Sequence, residues 1–404
     1  MVRATGERVI GKRLVYICDW LPPDFGAVGQ YSMLFAREWA KNGWVVTLVG
    51  LTSGQSRREL AEPIGEGTLE TIRVHRPAYE KRRLMERLIW TIISNLLLVR
   101  AAFGSMLRAD AVLFTGSPPL MLHFIAPLNL IIRKQLIYRI TDFHPECLIA
   151  ERGRAGALLS TLLRLTQFWR RRVHMFEVLG LDQARRLADA GIPAERICLK
   201  RDPSPVTFSP RLVPLRLPDP LRGGNSGVLL YSGNWGIAHD TDTFIEAYSE
   251  YFRQSRHGLR FWLNAIGSRA DHVERELRRR GAFVYRSSPV LLEQLPSLLV
   301  AADVHLITLR DAFIGYVLPS KVHACIESGK RMIFVGSESS DVHLLAKGAL
   351  SPLDYYQVGV GDVDGLVQSL RAMEELVVHE RQSNVAASPG VDPIPCKFDA
   401  VDLR

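Results

Sequence analysis

The sequence predicts an α/β protein made of two doubly wound parallel-sheet domains that face each other across a cleft. Short apolar runs alternate with amphipathic helical segments in both halves of the chain, which is the pattern of parallel sheets. A stretch rich in proline and glycine, 203–227, separates the two halves and cannot sustain a helix or a central strand. The length of 404 residues suits two domains of ordinary size.

These observations divide the chain into four segments. We assign 1–202 to a first domain, 203–227 to a linker, 228–380 to a second domain and 381–404 to a poorly periodic tail. Ligands of open α/β sheets bind beyond the carboxyl ends of the strands, so we expect the site in the cleft between the domains.

Apolar runs give the predicted strands of the first half. They lie at 13–18, 44–49, 111–114, 136–140 and 174–179. Between the first two, helical spacing of apolar residues predicts a helix that ends at Gly43.

The second half repeats the alternation more regularly. Its predicted strands lie at 228–231, 261–266, 283–286, 304–309, 332–335 and 355–358. Helical sequence lies between them, and the helix after the first strand has Asp240 as its expected N-cap.

Composition excludes several classes of protein. The chain is 47% hydrophobic and 23% charged, which is typical of globular proteins and not of disordered, collagen-like or coiled-coil chains. Its net charge of +9 favours anionic partners. Five scattered cysteines without a C-x-x-C pair argue against a disulfide framework or a structural zinc site. The first thirty residues lack the pattern of a secretory signal, so we expect a cytoplasmic protein.

Two apolar segments raise the question of a membrane. Segment 111–132 has no charge, but prolines at Pro118, Pro119 and Pro127 divide it into a strand, a turn and a helix. Segment 88–99 has only twelve residues, too few to cross a bilayer. We therefore expect no membrane-spanning helix.

Basic residues surround the shorter segment. Eight lysines and arginines stand against Glu80 and Glu86: Arg73, Arg76, Lys81, Arg82, Arg83, Arg87, Arg100 and Arg108. This pattern is typical of a helix lying on an anionic leaflet, and a core helix with a solvated basic face explains it equally well. On the first interpretation, 81–108 contacts an anionic membrane surface. We expect no nucleic-acid binding, because the basic residues lie beside aliphatic rather than base-stacking aromatic side chains.

Two segments of the second half contain candidate phosphate-binding groups. The loop 232–236 follows a strand and opens a helix, where glycines and free N–H groups suit an anion. Lys321 falls in the first turn of a helix, where a cation is unfavourable unless a phosphate shares the site. A ligand-free turn and a solvated lysine are the alternatives. Pro319 and Ser320 precede Lys321 as an expected cap.

Other polar groups follow strand ends as well. Asp142, His144 and Glu146 end the strand 136–140 and suit contacts with substrate hydroxyls, although helix capping explains them equally well. Ser340 lies in a similar turn before a helix. Two Asp-x-Asp sequences, at 240–242 and 362–364, fall at predicted helix starts, so we expect capping there and no metal site.

The sequence resembles bacterial glycosyltransferases of the GT-B fold, especially glycosyltransferase family 4 and its polysaccharide-assembly branch. The resemblance rests on motifs in a shared order: FGAVGQYS, GWVVTLV, TGSPPL, ITDFHPE, YSGNWG, GYVLPSKVHACIESGK and FVGSESSDVH. It implies two Rossmann-like domains, with the acceptor bound by the first and the nucleotide-sugar donor by the second.

The resemblance also implies residue roles. Lys321 would neutralise the leaving phosphates, and Asp142 and His144 would face the acceptor or the transferred sugar. The donor-binding set would comprise Gly29, Gly233, Asn234, Gly236, His239, Gly267, Ser320, Glu327 and Ser340. The family's E-x(7)-E pair is replaced here by Tyr316 and Ala324, and His239 stands near the place of its usual Arg and Lys.

The implied reaction is transfer, with retention and without a metal or cofactor, from a nucleotide-diphosphate sugar to a glycan acceptor. We expect a polyprenyl-linked acceptor and a peripheral position on the inner face of the cell membrane. Two alternatives stay open: a nucleotide-sugar 2-epimerase of the same fold, and a non-catalytic module that binds nucleotide sugar.

Overall fold

The computed structural model describes residues 11–24, 26–77, 84–222, 226–255 and 258–387. The first domain has nine strands: β1 (Arg13–Trp20), β2 (Val45–Thr52), β3 (Arg57–Arg58), β4 (Glu62–Ile64), β5 (Gly67–His75), β6 (Ala111–Thr115), β7 (Gln135–Ile140), β8 (Met175–Val178) and β9 (Ile197–Leu199). Its helices are α1 (Ala27–Lys41), α2 (Leu84–Arg108), α3 (Leu122–Ile132), α4 (Glu146–Arg152), α5 (Ala157–Arg170) and α6 (Leu181–Asp189).

The first sheet is doubly wound. Its strand order is β3-β5-β2-β1-β6-β7-β8-β9, with β4 also paired to β5. The short strands β3 and β4 run antiparallel to β5, and the other pairs are parallel. The order reverses at β1, between β2 and β6, so the switch point lies where β1 and β6 end.

The second domain contains one fully parallel sheet. Its strands are β10 (Gly227–Asn234), β11 (Leu259–Ile266), β12 (Val284–Ser287), β13 (Val304–Thr308), β14 (Arg331–Val335) and β15 (Tyr355–Val358), in the order β12-β11-β10-β13-β14-β15. Its helices are α7 (Asp242–Gln254), α8 (Ala270–Arg279), α9 (Leu295–Ala301), α10 (Lys321–Glu327), α11 (Asp341–Ala349) and α12 (Val363–Ala387). The predicted fold class is confirmed.

Each sheet separates two apolar cores, because successive side chains of a strand point to opposite faces. In β1, Tyr16 packs with Phe35 of α1 on one face, whereas Ile17 packs with Leu98 of α2 on the other. Both faces of each sheet are thus covered by helices, so a ligand can reach the sheet only at the strand ends.

Several elements differ from the sequence-based expectation. β5 was missed, although its alternating burial shows that the period-two signal was present in GTLETIRVH. β9 was missed because it has only three residues. The helix α12 runs to Ala387, so the first seven residues of the predicted tail are helical, and 388–404 lie outside the described residues. Asp240 precedes α7, whose N-cap position is taken by Thr241.

The predicted helix 88–99 is part of a much longer one. α2 has 25 residues, and its stretch Met85–Arg108, with a mean hydropathy of 1.5, is long and apolar enough to cross a membrane by length and composition alone. Its face toward the sheet is buried, with Leu98, Ala102 and Met106 in the core. The expectation that this segment is too short to cross was therefore wrong about its length.

A buried charge network anchors the start of the linker to the first sheet. Arg139 of β7 is 1% exposed and donates to Glu177 of β8 at 2.9 Å and to Asp202 at 2.7 Å. Its guanidinium also lies 4.2 Å from the ring centre of Phe35. Charged groups are stable at this depth only when they are paired in this way.

Two helix N-termini cap each other across the domain boundary. Asp341, the first residue of α11, accepts a hydrogen bond from Leu181 N of α6 at 3.1 Å. Asp182 of α6 accepts one in return from Asp341 N at 3.1 Å. Arg201, just before the linker, forms an ion pair with Asp341. The carboxyl edges of the two sheets are therefore joined by two reciprocal caps.

Candidate active site

Residues of β10 and α10 come together at the carboxyl edge of the second sheet. Gly233 has a φ of +98°, in the left-handed region that favours glycine, and a Cβ at this position would lie 4.0 Å from Lys321 Cε. Gly233 and Asn234 are exposed, and Gly236 is half-buried. The structure thus places the predicted glycine loop directly against the predicted lysine.

Lys321 carries a buried amine that forms no ion pair with any residue in the described part of the chain. Its Nζ has no hydrogen-bond partner among the described residues and lies 3.5 Å from the ring centre of Tyr231. Burial lowers the pKa of Lys321 to about 7. An amine in this condition is poised to accept a proton and an anion together.

His239 lies next to this amine in the same recess. Its Nδ1 lies 2.5 Å from the carbonyl oxygen of Thr308, and its ring stands edge-on to Tyr231. Burial, together with the charge of Lys321, lowers the pKa of His239 to about 3. The imidazole is therefore neutral near pH 7 and offers its Nε2 without adding charge.

Gly267 closes the other side of the loop. It has a φ of +109°, and a Cβ would lie 2.3 Å from Asn234 Oδ1 and 2.6 Å from the carbonyl oxygen of Trp235. Trp235 N donates to the carbonyl oxygen of Ile266 at 2.7 Å, which holds the loop against the end of β11. Only glycine fits at this close approach.

Two other predicted donor-binding residues, Ser320 and Glu327, lie at the two ends of α10. Ser320 precedes Lys321, but its side chain makes no capping hydrogen bond, contrary to the expected cap. Glu327 is exposed at the end of α10. Its charge acts on Tyr31 of α1: burial raises the pKa of Tyr31, and the charges of Asp202 and Glu327 raise that pKa further. Glu327 therefore approaches the first domain.

The presence of Ser340 and of Gly29 is explained by their structural roles. The Ser340 hydroxyl is fully buried and accepts from Val342 N at 3.2 Å, so it caps α11 and is not brought to the recess. Gly29 is buried in the first turn of α1, where a Cβ would lie 1.6 Å from the carbonyl oxygen of Trp20. Close packing alone requires glycine there.

The predicted acceptor loop reaches across the domain boundary. Asp142 forms an antiparallel bridge with Val317, and Phe143 N donates to the carbonyl oxygen of Tyr316 at 3.0 Å. Val317 lies four residues before Lys321. This pairing joins the ITDFHPE loop of the first domain to the segment of the second domain that leads into α10.

A second carboxylate lies beside Asp142 and was missed by sequence analysis. Asp19, at the end of β1, accepts from Ser117 Oγ at 2.6 Å through Oδ2, while its buried Oδ1 has no hydrogen-bond partner within the described ranges. Burial raises the pKa of both carboxyls to about 6, and the charge of Asp19 adds to the shift of Asp142. The available signal was an aspartate directly after a predicted strand.

His144 is held in place by a buried ion pair. Arg170 pairs with Glu146 and lies 5.0 Å from the ring centre of Phe143, and its Nη2 donates to the His144 carbonyl oxygen at 3.4 Å. Burial lowers the pKa of His144 to about 4, so the ring is neutral near pH 7. The loop is thus rigid where it meets the cleft.

A cavity of about 620 Å³ opens beside this loop in the first domain. It is lined by Asp19, Trp20, Asp24, Gly26, Ser53, Arg87, Leu88, Trp90, Thr91, Ser117, Pro118, Pro119, Leu120, His144, Pro145, Leu148 and Leu162. The ends of β1, β6 and β7 form one side of this cavity, and α2 forms another. This volume is in the range of ligand sites.

The Asp-x-Asp sequences show no metal-like arrangement. Asp362 accepts from Gly365 N at 2.9 Å, at the start of α12. Across the described ranges, no three His, Cys, Asp or Glu side chains are close enough to hold a metal ion.

Comparison with known proteins rests on structure. The sequence matches no protein-family model and no curated protein. An α,α-trehalose-phosphate synthase (UDP-forming) from Burkholderia xenovorans, solved with glucose-6-phosphate, is similar with a TM-score of 0.60 and 14% identity, over 92% of this chain and 94% of that one. A sucrose-phosphate synthase from Thermosynechococcus elongatus is similar with a TM-score of 0.57 and 13% identity, over 93% of this chain and 100% of that one.

A third structure, HepE from Anabaena in complex with UDP, has a TM-score of 0.53 and 12% identity, over 93% of this chain and 98% of that one. These proteins are GT-B glycosyltransferases. The chain has the GT-B fold. At such low identity the likeness establishes the GT-B architecture, and the choice of family 4 stays a prediction.

Proposed function

We propose that this GT-B protein is a glycosyltransferase that moves a sugar from a nucleotide-diphosphate donor to a glycan acceptor. The observation that carries the proposal is the buried amine of Lys321, which has no hydrogen-bond partner among the residues that the structure describes and lies against the Gly233 loop. A diphosphate supplies the negative charge that this amine lacks, and the exposed loop lets a ligand approach the backbone closely.

The chemistry follows from the charges that develop during transfer. Cleavage of the anomeric C–O bond leaves negative charge on the departing diphosphate, which protonated Lys321 stabilises. Neutral His239 donates through Nδ1 to the Thr308 carbonyl oxygen, so its Nε2 is an acceptor that suits a sugar hydroxyl of the donor. We infer retention at the anomeric carbon, and independence from a metal or cofactor, from the resemblance to family 4.

The first domain would present the acceptor. Asp142 and His144 lie on the loop that pairs with Tyr316 and Val317, and this pairing supports an acceptor role for them. Carboxylate and neutral imidazole groups are suited to binding sugar hydroxyls. We propose a polyprenyl-linked glycan as acceptor and a cytoplasmic, peripheral membrane location for the enzyme.

A panel of UDP-, GDP-, ADP- and dTDP-sugars tests donor binding by thermal shift. We expect one nucleotide series to raise the melting temperature, since a ligand at 100 times its Kd adds about 2.7 kcal/mol of stability. Binding should tighten as pH falls through about 7, because the diphosphate prefers protonated Lys321. Absence of a shift with all four series would contradict donor binding. Epimerised sugar formed without acceptor would instead favour the 2-epimerase.

The exposed face of α2 supports the membrane location. One side of the helix is buried, while the other exposes apolar side chains, namely Met85, Leu88, Ile89, Ile92, Ile93, Leu96, Phe103 and Leu107. Arg87, Arg100 and Arg108 lie on the same helix. Lys81, Arg82 and Arg83 of the predicted flank lie outside the described residues. An apolar face with arginines fits an anionic leaflet.

Vesicle co-sedimentation tests this location. We expect binding to vesicles with anionic lipid to exceed binding to neutral ones, and the double variant Ile89→Ser/Leu96→Ser to bind roughly tenfold more weakly because less apolar area is buried. Leu353→Ser, on an equally exposed leucine of the second domain, is the control and should bind normally. Equal binding to both vesicle types, or no effect of the double variant, argues against docking through α2.

A further inference from the structure

Three helices cover the same side of the first sheet. α3 packs between α2 and α5, and the ring Nε2 of His123 in α3 lies 3.0 Å from the hydroxyl oxygen of Thr166 in α5. The helices lead into β6, β7 and β8, which are neighbours in the sheet, so the C-terminal ends of all three helices lie along one edge. We call the outer side of α2, α3 and α5 the three-helix face.

The three-helix face exposes apolar side chains well beyond α2. On α3, Leu130 and Ile131 are exposed, and Ile131 is 79% accessible. On α5, the exposed residues Leu158, Leu165 and Phe168 recur at helical spacing and therefore form one stripe. Exposed apolar area that extends over several elements marks an interaction surface.

The charged residues of these helices are almost all basic. α3 contains no Asp, Glu, Lys or Arg, α5 contains no Asp or Glu, and Glu86 is the single acidic residue of α2. Where each helix ends, an exposed apolar side chain is followed within four residues by an exposed arginine: Leu107 by Arg108, Ile131 by Arg133, and Phe168 by Arg171 and Arg172. The helix dipole explains arginines at C-terminal ends, but it does not explain the exposed apolar side chains before them.

The combination of apolar and basic groups selects the partner. A second copy of this chain, docked about a two-fold axis, would bring the same arginines together and repel. An anionic leaflet accommodates both kinds of group, because apolar side chains enter the acyl region while arginines reach the phosphates of the headgroups. The exposed side of α2 continues into α3 and α5, so one leaflet can contact all three helices.

We propose that the whole three-helix face docks on an anionic phospholipid leaflet, so that the first domain lies flat on the membrane. The proposal rests on the membrane location proposed above and names the surface that makes the contact. A single helix on a membrane leaves the domain free to roll about the helix axis. Three helices side by side remove that freedom and fix the orientation of the domain.

Co-sedimentation of the full chain with vesicles of phosphatidylcholine, alone or mixed with phosphatidylglycerol, tests this surface. We expect Leu130→Ser/Ile131→Ser on α3 to weaken binding to the anionic vesicles roughly tenfold although α2 is unchanged, because less apolar area enters the leaflet. Leu291→Ser/Leu353→Ser, at exposed positions of the second domain, is the matched control and should bind normally. Normal binding by the α3 variant would overturn the proposal and leave α2 as the membrane contact.

A pair of variants that differ in charge tests the arginines. Arg171→Gln/Arg172→Gln should bind anionic vesicles roughly 10- to 30-fold more weakly and neutral vesicles unchanged, because each basic residue near an anionic surface adds to binding. Arg171→Lys/Arg172→Lys keeps the charge and should bind like the native protein. Equal weakening in both variants, or none in the glutamine variant, would contradict an anionic partner at this edge.

Two further measurements separate this proposal from its alternatives. Sedimentation equilibrium without lipid would overturn it if the native protein dimerises and Leu130→Ser/Ile131→Ser does not, since a second copy would then cover the face. The nucleotide thermal shift should be normal in the variants, which shows that they are folded and that only docking is lost. Absence of that shift in the native protein would refute the donor site alone, whereas absence of native vesicle binding would refute the membrane location.

Discussion

Replacing Lys321 with methionine is expected to slow sugar transfer roughly 100- to 1,000-fold, the effect of removing one donor that stabilises developing charge. The same change should stabilise the unliganded protein. The amine is buried without a hydrogen-bond partner in the described residues, and methionine fills a similar volume without a charge to desolvate. Opposite effects on activity and stability would distinguish a functional lysine from a structural one.

The stability effect has a defined pH dependence. Because the pKa of Lys321 falls to about 7 on folding, the unfolded chain binds this proton more tightly between pH 7 and its ordinary value near 10.5. Native stability should therefore rise with pH across that window, and Lys321→Met should lack this contribution. Thermal melts and transfer assays across pH measure both, with exposed Lys347→Met as control. Unchanged transfer by Lys321→Met, or a lower melting temperature, would refute the assignment.

Arg139→Met is expected to destabilise the first domain by about 3–5 kcal/mol, because it removes the buried guanidinium that pairs with two buried carboxylates and leaves only Lys200, at 4.0 Å, near Glu177. Glu177 and Asp202 are 5% and 6% exposed and both accept hydrogen bonds from this guanidinium. Urea denaturation followed by circular dichroism measures the change through the midpoint of the first transition.

Two further variants test whether the loss of stability in Arg139→Met comes from the buried ion pairs. Arg37→Met breaks the exposed pair with Glu62, where both side chains are about half accessible, and should cost less than about 1 kcal/mol. Adding Glu177→Leu and Asp202→Leu to Arg139→Met should restore much of the lost stability, since an apolar replacement of a buried ion network is often neutral. A midpoint for Arg139→Met close to that of the native protein would show that the network contributes little.

The strand–loop–helix alternation made much of the fold and part of the site predictable. Gly233 and Lys321 each follow a local pattern, a glycine turn after a strand and a cation in a first helical turn, and the structure brings the two together. Asp19 has only the weak signal of an aspartate directly after a predicted strand. Its importance arises because β1 lies between β2 and β6, which brings it to Ser117 and Asp142, and this adjacency is a property of the sheet.

The roles of some residues were ambiguous in sequence, because a local structural role and a contact with a distant part of the chain both explained them. In sequence Ser340 fits most simply as a cap, with an anion ligand as the alternative, and its hydrogen bond to Val342 N and its complete burial agree with the cap. The resemblance to family 4 implies a glutamate at the position of Tyr316, and the Tyr316 ring packs on Phe143 at 5.9 Å and under Arg186 at 4.6 Å. That position therefore serves contact between domains, which no local pattern indicates.

The paired caps of α6 and α11 constrain how the two halves of the molecule can move. Each helix receives a carboxylate from the opposite domain, so any separation removes these two hydrogen bonds and releases Arg201 as well, while Ser340 still caps α11. Opening of the cleft along this edge would therefore require the molecule to give up the hydrogen bonds of Asp182 and Asp341 and the ion pair of Arg201.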